Sequence, residues 1–136
     1  MRVVIDTNVL VSGLLSPFGP PGVIVGLITA GNLCLCHDVR VLAEYNEVLR
    51  RPAFPFAKEE VAALMAQIRA GGELVAAKPL PHRLPDPDDE PFLEVAAAAM
   101  AEFLVTGNMK HFPSDRRQGV RVVSPREFLD TGLRVN

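Results

Sequence analysis

The chain has 136 residues, of which 49% are hydrophobic and 22% are charged, a composition that predicts one globular domain over residues 1–136 and excludes a disordered chain. The formal net charge is −2, and only 6% of the residues are aromatic, with no Trp, so the overall composition does not indicate nucleic-acid binding. Because no basic segment precedes the short first apolar run, we expect no signal peptide, no membrane span and a cytoplasmic protein.

The apolar patterns predict strands and helices in alternation. Residues 2–5 form an apolar run without alternation, which is typical of a strand buried on both faces. Cys34 and Cys36, the only cysteines, have the spacing of neither a zinc knuckle nor a redox pair, and we expect them to be small core residues of a strand. The first half of the chain is predicted to contain a strand at 2–5, helices at 9–15 and 23–30 separated by a loop at 16–21, a strand at 33–36, and helices at 38–50 and 58–70.

The second half continues the same alternation. It is predicted to contain a short strand at 74–77, a proline-rich loop at 79–87, a helix from 91 to about 101, strands at 103–106 and 120–123, and a final helix through 129. Repeated strand–helix–strand units favour parallel pairing. The predicted fold is therefore a three-layer α/β sandwich whose central parallel sheet of four to five strands is flanked by helices.

Asp6 follows the first predicted strand, at the end where open α/β sheets hold their ligands. Its alternative role is to cap the helix that comes next. Glu44 lies at the rim of the apolar stripe of the helix at 38–50, from which its carboxylate can reach over the sheet edge. The alternative for Glu44 is a surface ion pair with Arg40, four residues earlier.

Acidic residues are dense before the helix predicted from 91. When the apolar arc of that helix is extended backwards, Asp89 points along its middle and Asp88 lies at its edge, so Asp89 is the better site candidate. Both acids would also suit the helix dipole, which is the alternative. Further along the chain, Asn108 is either an oxygen ligand or a residue that favours the left-handed conformation, and His111 is better explained as part of a turn.

These acids follow elements whose ends meet at the same edge of a parallel sheet, so we expect Asp6, Glu44, Asp89 and Asn108 to converge on one pocket. Clustered carboxylates repel each other unless a cation lies between them. Oxygen ligands of this kind suit a hard divalent metal such as Mg²⁺ or Mn²⁺.

In chain order the motifs resemble those of PIN domains, and the resemblance covers essentially the whole chain. It rests on Asp-Thr-Asn at 6–8, on Glu44, on Asp89 followed by Phe92-Leu93 and Ala96, and on Leu-Val-Thr-Gly-Asn at 104–108. The most similar branch contains toxin components of bacterial toxin–antitoxin pairs, relatives of the VapC ribonucleases.

The resemblance implies roles for individual residues. Asp6, Glu44 and Asp89 match the metal-binding acids, and Thr106 matches a hydroxyl residue near the site. Asn108 stands where the family usually has a fourth aspartate, which implies weaker binding of a second metal, one-metal chemistry or reduced activity. The supporting candidates are Asn8, Asp88, Thr106 and His111.

The activity implied is that of a Mg²⁺- or Mn²⁺-dependent endoribonuclease that cleaves single-stranded RNA. The resemblance also implies a homodimer and an antitoxin protein as partner. An acidic centre needs basic flanks to hold RNA. The candidates for these flanks, which are otherwise ordinary solvated surface, are Arg50, Arg51, Lys110, Arg116 and Arg117.

Two other functions fit parts of the sequence. A PIN-fold module that binds RNA or an antitoxin without cutting is favoured by the neutral Asn108. A receiver-type or phosphoryl-transfer protein would also cluster acids at strand ends, with Asp6 as nucleophile. It would need a phosphate-binding Lys at a strand terminus, and the sequence has none there.

Overall fold

The computed structural model of the protein describes residues 1–132. Its centre is a five-stranded sheet in the order β3-β2-β1-β4-β5, in which every neighbouring pair is parallel. This confirms the predicted α/β fold with a central parallel sheet. The strands are β1 (Arg2–Ile5), β2 (Cys34–His37), β3 (Glu73–Leu74), β4 (Phe103–Val105) and β5 (Val122–Val123).

The strand order places a switch point at β1. From β1 the chain continues to β2 on one side, and later returns to β4 on the other side. At such a point the loops leaving neighbouring strands diverge, and a crevice opens outside the carboxyl ends of the strands. The register pairs Ile5 with Val105, so the residues that follow β1 and β4 are neighbours at the edge of this crevice.

Helices cover the sheet, and the central strands are completely buried. Val3, Val4, Ile5, Leu104 and Val105 have no exposed surface, as expected for apolar runs without alternation. The helices within the described residues are α1 (Thr7–Leu15), α2 (Pro20–Thr29), α3 (Val39–Leu49), α4 (Lys58–Gly71), α5 (Glu90–Ala99) and α6 (Pro125–Glu127).

Several predicted boundaries were wrong. Helix α2 begins at Pro20, inside the segment predicted as a loop, because proline is well accommodated in the first turn of a helix. Strand β3 is Glu73–Leu74 rather than 74–77, and β5 is Val122–Val123 rather than 120–123. The final helix is limited to α6, which is followed by a π-helical turn over Phe128–Gly132.

Helices α1 and α2 form a closely packed pair. A Cβ atom at Gly22 would lie 2.2 Å from the carbonyl oxygen of Pro17, and one at Gly13 would lie 2.5 Å from Val25 Cγ2, so both positions require glycine.

No single helix of residues 1–132 has the length and apolar character needed to cross a membrane. Helices α1 and α2 meet that test only as a pair, and they are bent by 100° at their junction.

Candidate active site

Asp6 lies at the switch point, beside β4. Its side chain is 5% exposed, and Thr106 Oγ1 donates a hydrogen bond of 2.8 Å to Asp6 Oδ2. Asp6 is also the N-cap residue of α1, but its carboxylate accepts no capping hydrogen bond. The capping alternative is therefore not realised, and the carboxylate remains directed toward the end of the sheet.

Glu44 is brought to the same edge by contacts of α3 with β1 and α1. The buried Tyr45 hydroxyl donates to the carbonyl oxygen of Ile5, which fixes α3 over the end of β1. One residue earlier in the helix, Glu44 Oε2 accepts a hydrogen bond from Thr7 Oγ1. Glu44 is half-buried in this position.

The predicted alternative for Glu44, an ion pair with Arg40, is wrong. Arg40 instead pairs with Asp38 and with Glu94, at 2.7 Å in each case. Asp38 also caps α3 by accepting a hydrogen bond of 2.9 Å from the Val41 amide. The Arg40 guanidinium thus joins α3 to α5 and forms no ion pair with Glu44.

Asp89 ends a 3₁₀ turn that leads into α5. Asp86 caps this turn by accepting a hydrogen bond of 2.9 Å from the Asp88 amide, so Asp89 is not needed as a cap and forms no capping bond itself. Asp89 is 9% exposed, whereas Asp88 points into solvent. The apolar arc of the helix, extended backwards, thus correctly predicted that Asp89 is more buried than Asp88.

His111 lies in a turn, as predicted, and it also contacts Asp89. The distance from His111 Nδ1 to Asp89 Oδ2 is 2.9 Å. The pair is close but poorly aligned for a hydrogen bond, and Oδ2 is a buried atom without a hydrogen-bond donor among the described residues. Oδ2 is therefore available to another ligand.

Asn108 is held between Thr106 and His111. Its amide N–H donates to Thr106 Oγ1 at 3.0 Å, and its side-chain Nδ2 lies 2.8 Å from His111 Nε2. If Nδ2 donates this hydrogen bond, Nε2 is the acceptor and the imidazole proton lies on Nδ1, facing Asp89. The φ angle of Asn108 is −136°, so the left-handed alternative is wrong.

The three carboxylates share one electrostatic environment. Burial raises the pKa of Asp6, and the hydrogen bond from Thr106 opposes this increase. Burial also raises the pKa of Glu44, and the charge of Asp6 adds to the increase, while the bond from Thr7 opposes it. The pKa of Asp89 rises to about 6, first through burial and then through the charge of Asp6, with His111 opposing. Repulsion between these acids favours a bound cation.

The acids are suited to a hydrated metal ion. Among residues 1–132, Asp6, Glu44 and Asp89 are not a group in which three ligand atoms all lie within 4.8 Å of one another. An ion between them would therefore keep several water ligands, as Mg²⁺ commonly does. The unpartnered Asp89 Oδ2 and the raised pKa values fit such an ion.

A second group that could hold a metal lies at the other end of the sheet. Cys34, Cys36 and Glu73 place one ligand atom each within 4.8 Å of the others. Cys36 is a buried core residue, as predicted, but Cys34 is only half-buried. Thiol sulfurs favour a softer ion than Mg²⁺. Arg2 already pairs with Glu73 at 2.6 Å, and its hydrogen bond with Cys36 raises the pKa of the Arg2 guanidinium. A cation bound here would therefore compete with Arg2.

The remaining acidic and polar candidates, Asn8 and Asp88, lie near Asp6, Glu44 and Asp89. Asn8 is exposed, and its Oδ1 would be 3.6 Å from a Cβ atom at Gly107, which places it beside the β4 loop. Asp88 is exposed, unlike the buried Asp89, but its charge contributes to the raised pKa of Glu44.

The basic candidates divide into two groups. Arg116 Nη1 donates to the Arg83 carbonyl oxygen at 2.6 Å and Arg117 Nε donates to the Phe112 carbonyl oxygen at 2.8 Å, so both arginines hold loops together. The other three are on the surface near the acids or at the end of α3: Arg50, Arg51 and Lys110.

Two positioning residues were not singled out from the sequence. Thr7 fixes Glu44, and Tyr45 fixes α3 on β1. A signal was present for Tyr45, because it is the only tyrosine, lies in an apolar stripe and needs a hydrogen-bond partner once it is buried. Nothing in the spacing indicated that Thr7 would meet a residue 37 positions later.

The fold and the site together define an α/β domain with a cluster of acids at the switch point of a parallel sheet. The profile of the PIN domain matches residues 2–110, and the chain belongs to the PIN-domain family. PIN domains are generally nucleases and usually use divalent metals. The matched range contains Asp6, Glu44, Asp89 and Asn108 but ends before His111. No curated protein and no solved structure gives a significant match to the chain.

Proposed function

We propose that the protein is a Mg²⁺- or Mn²⁺-dependent endoribonuclease that hydrolyses phosphodiester bonds in single-stranded RNA. One observation carries the proposal. Asp6 and Asp89 are buried at N-cap positions without capping, and Glu44 is half-buried nearby; burial raises the pKa of each acid, and the charge of Asp6 raises those of Glu44 and Asp89 further. Such an arrangement is unfavourable without a cation, which supports a metal-binding role rather than a structural one.

The residues have distinct roles in this proposal. Asp6 and Asp89 hold the ion, with Thr106 orienting Asp6 and His111 orienting Asp89 through their contacts of 2.8 and 2.9 Å. A divalent ion held by Asp6 and Asp89 would polarise the scissile phosphate as a Lewis acid. Asn108 orients the His111 ring and adds no charge, so the site favours one ion over two.

Glu44 is the general base. Its raised pKa brings it closer to neutral pH, where it can accept the proton of an attacking water. The water oxygen forms a new bond to phosphorus, the bond from phosphorus to the leaving ribose oxygen breaks, and that oxygen takes a proton from solvent. Thr7 fixes the Glu44 carboxylate through one oxygen and leaves the other for the water.

The test is cleavage of a labelled single-stranded RNA with Mn²⁺ or with chelator. Glu44→Gln should reduce the cleavage rate by roughly 10²–10⁴-fold, which is typical for loss of a general base. Glu102→Gln is a matched control, because Glu102 is exposed just before β4, at the amino end of the strands and away from the acids. Equal rates for Glu44→Gln and the parent protein would refute the role of Glu44, and cleavage that persists in chelator would refute the metal dependence.

We further propose that the protein is the toxin of a toxin–antitoxin pair, acts as a homodimer and is cytoplasmic. The similarity of its motifs to bacterial PIN toxins supports this. Expression of the parent protein should arrest bacterial growth, and expression of Asp6→Asn should not. Rescue by a small protein encoded next to it would identify the antitoxin, and mass measurement in solution would test the dimer.

A second candidate function is an RNA- or antitoxin-binding module that no longer cuts. Asn108 favours it, because the neutral amide is bonded to His111 and supplies no metal-binding charge. Binding of RNA without any metal-dependent cleavage by the pure protein would favour this candidate over the nuclease.

A further inference from the structure

We propose that the segment after α3 forms a pocket that binds one unstacked base of single-stranded nucleic acid, next to the phosphate held at the acidic site. The pocket is lined by Leu49, Arg50, Arg51, Pro52, Phe54, Phe56, Lys58 and Val61, and we call it the Phe54 pocket. This inference rests on the proposed nuclease function, since it assigns a base-binding subsite to the same substrate.

The Phe54 pocket has an aromatic wall on an apolar floor. The rings of Phe54 and Phe56 are stacked, with centroids 5.3 Å apart and planes 14° from parallel. Leu49 and Val61, each 1% exposed, form the floor. Both phenylalanines are half-buried, so part of each ring remains accessible to a ligand. Faces of aromatic rings are the surfaces on which unpaired bases stack.

A rigid turn presents Phe54. The Phe54 amide donates a hydrogen bond of 3.1 Å to the Arg51 carbonyl oxygen, and Pro52 limits the backbone of the turn between them. A ring held in this way loses little conformational freedom when a base stacks on it. The Phe54 side of the pocket is therefore held by a hydrogen-bonded turn of the main chain.

The rim of the Phe54 pocket is basic in a protein that is acidic overall. Residues 50–58 contain three basic residues and no acidic one, although the chain carries a net charge of −2. Arg51 pairs with Glu47 at 2.8 Å, but both side chains are more than half exposed. Such a pair is weak, so a phosphate can replace Glu47 as the partner of Arg51.

The pocket lies at the C-terminal end of α3, the helix that carries Glu44. Glu44 precedes the end of α3 at Leu49 by five residues, or about 7.5 Å along the axis, and Arg51 lies two residues beyond that end, where its amide donates to the Val48 carbonyl oxygen at 3.2 Å. The two charges interact, since Arg51 lowers the pKa of Glu44 and Glu44 raises that of Arg51. A strand cleaved at the acids can thus continue along α3, with a phosphate on Arg51 and the next base in the pocket.

The size of the pocket indicates its ligand. Its volume is about 210 Å³. Pockets for drug-sized molecules measure about 300–1,000 Å³, so this one suits a single flat ring system. A base can reach it only when it is not paired or stacked in a duplex, so single strands are the class of ligand expected.

The experiment measures binding of fluorescent single-stranded RNA and DNA oligomers, and of a duplex, by anisotropy in chelator, with cleavage assayed separately in Mn²⁺. Phe54→Ala should weaken single-strand binding by about tenfold or more. Arg51→Gln combined with Lys58→Gln should weaken binding and flatten its dependence on salt, because phosphate contacts are lost. This second variant changes only exposed side chains, so it remains informative if Phe54→Ala does not fold.

The matched controls are Phe18→Ala, which removes a fully exposed phenylalanine from the α1–α2 turn, and Arg69→Gln, which removes an exposed charge near the end of α4. Neither should change binding. If the parent cleaves RNA and the pocket variants bind as the parent does, the pocket proposal is overturned and the nuclease stands. If the variants lose binding but no protein cleaves, the nuclease is overturned and the pocket stands. Tighter binding of duplex than of single strands would also overturn the pocket.

Discussion

Asp6 and Asp89 are placed where their carboxylates do not help the fold. An N-cap hydrogen bond contributes about 0.5–2 kcal/mol, yet neither residue makes one. Burial raises the pKa of both, which means that the folded state disfavours their charged forms. At the scale of single residues, these acids therefore reduce the stability of the free protein, as expected for groups that bind a cation.

The first prediction separates these roles at Asp6. Asp6→Asn keeps the shape of the side chain and can keep the hydrogen bond from Thr106, but it removes a buried charge. We expect no detectable cleavage, and a Tm in chelator that is equal to the parent's or up to about 3 °C higher. Asp115→Asn, an exposed site, is the control. A large decrease in Tm would mean that Asp6 stabilises the fold instead.

The second prediction concerns Asn108. In Asn108→Asp, the new carboxylate would lie beside His111 Nε2 and add a negative charge to the acidic cluster. The added charge should strengthen Mn²⁺ binding and lower the Tm in chelator. Melting curves across a Mn²⁺ titration of both proteins test this.

The control for that titration is Asn32→Asp, which adds the same charge on an exposed loop before β2, at the opposite end of the sheet. It should leave the Mn²⁺ dependence unchanged. If Asn108→Asp behaves as Asn32→Asp does, Asn108 acts only in the turn and does not influence the metal.

At the scale of elements, the site depends on a contact between α1 and α3. The hydrogen bond from Thr7 lowers the pKa of Glu44, in opposition to burial. Thr7→Val removes this bond without a change in shape, so the pKa of Glu44 should rise further. The base would then be protonated up to a higher pH, and the acidic limb of the cleavage profile should shift upward. Thr7→Ser, which keeps the hydroxyl, should retain the parent's profile, and an unshifted limb in Thr7→Val would contradict the assignment of Glu44 as base.

Sequence patterns predicted the elements better than their ends or their contacts. The parallel sheet and the burial of Asp89 follow from apolar periodicity, which records the side of each element that faces the core. Two-residue strands such as β3 have too little sequence to show a period. The contacts of His111 with Asp89 and of Thr7 with Glu44 join distant parts of the chain, so no local pattern could indicate them. The stacking of Phe54 on Phe56 also depends on a turn geometry that composition does not reveal.

At the scale of the whole molecule, the sheet places like charges where β1 and β4 diverge, and stability becomes linked to pH and to metal. The pKa of Asp89 rises from 3.8 to about 6 on folding. The folded state therefore holds the proton more tightly than the unfolded state does. The stability contributed by this group is complete below the unfolded pKa of 3.8, and it is lost as the pH rises through about 6.

The last prediction follows from this linkage. In chelator the Tm should decrease between about pH 4.5 and 7.5, because burial disfavours the ionised form of Asp89 and Asp6 repels it. A divalent ion binds the ionised carboxylates, so the increase in Tm on adding Mn²⁺ should be small at about pH 4.5 and large at about pH 7.5. In Asp89→Asn, both the decrease in Tm with rising pH and the increase in Tm on adding Mn²⁺ should be smaller than in the parent. If Mn²⁺ raises the Tm equally at both pH values, or raises that of Asp89→Asn as much as that of the parent, the ion binds elsewhere. The next group to test would then be Cys34, Cys36 and Glu73.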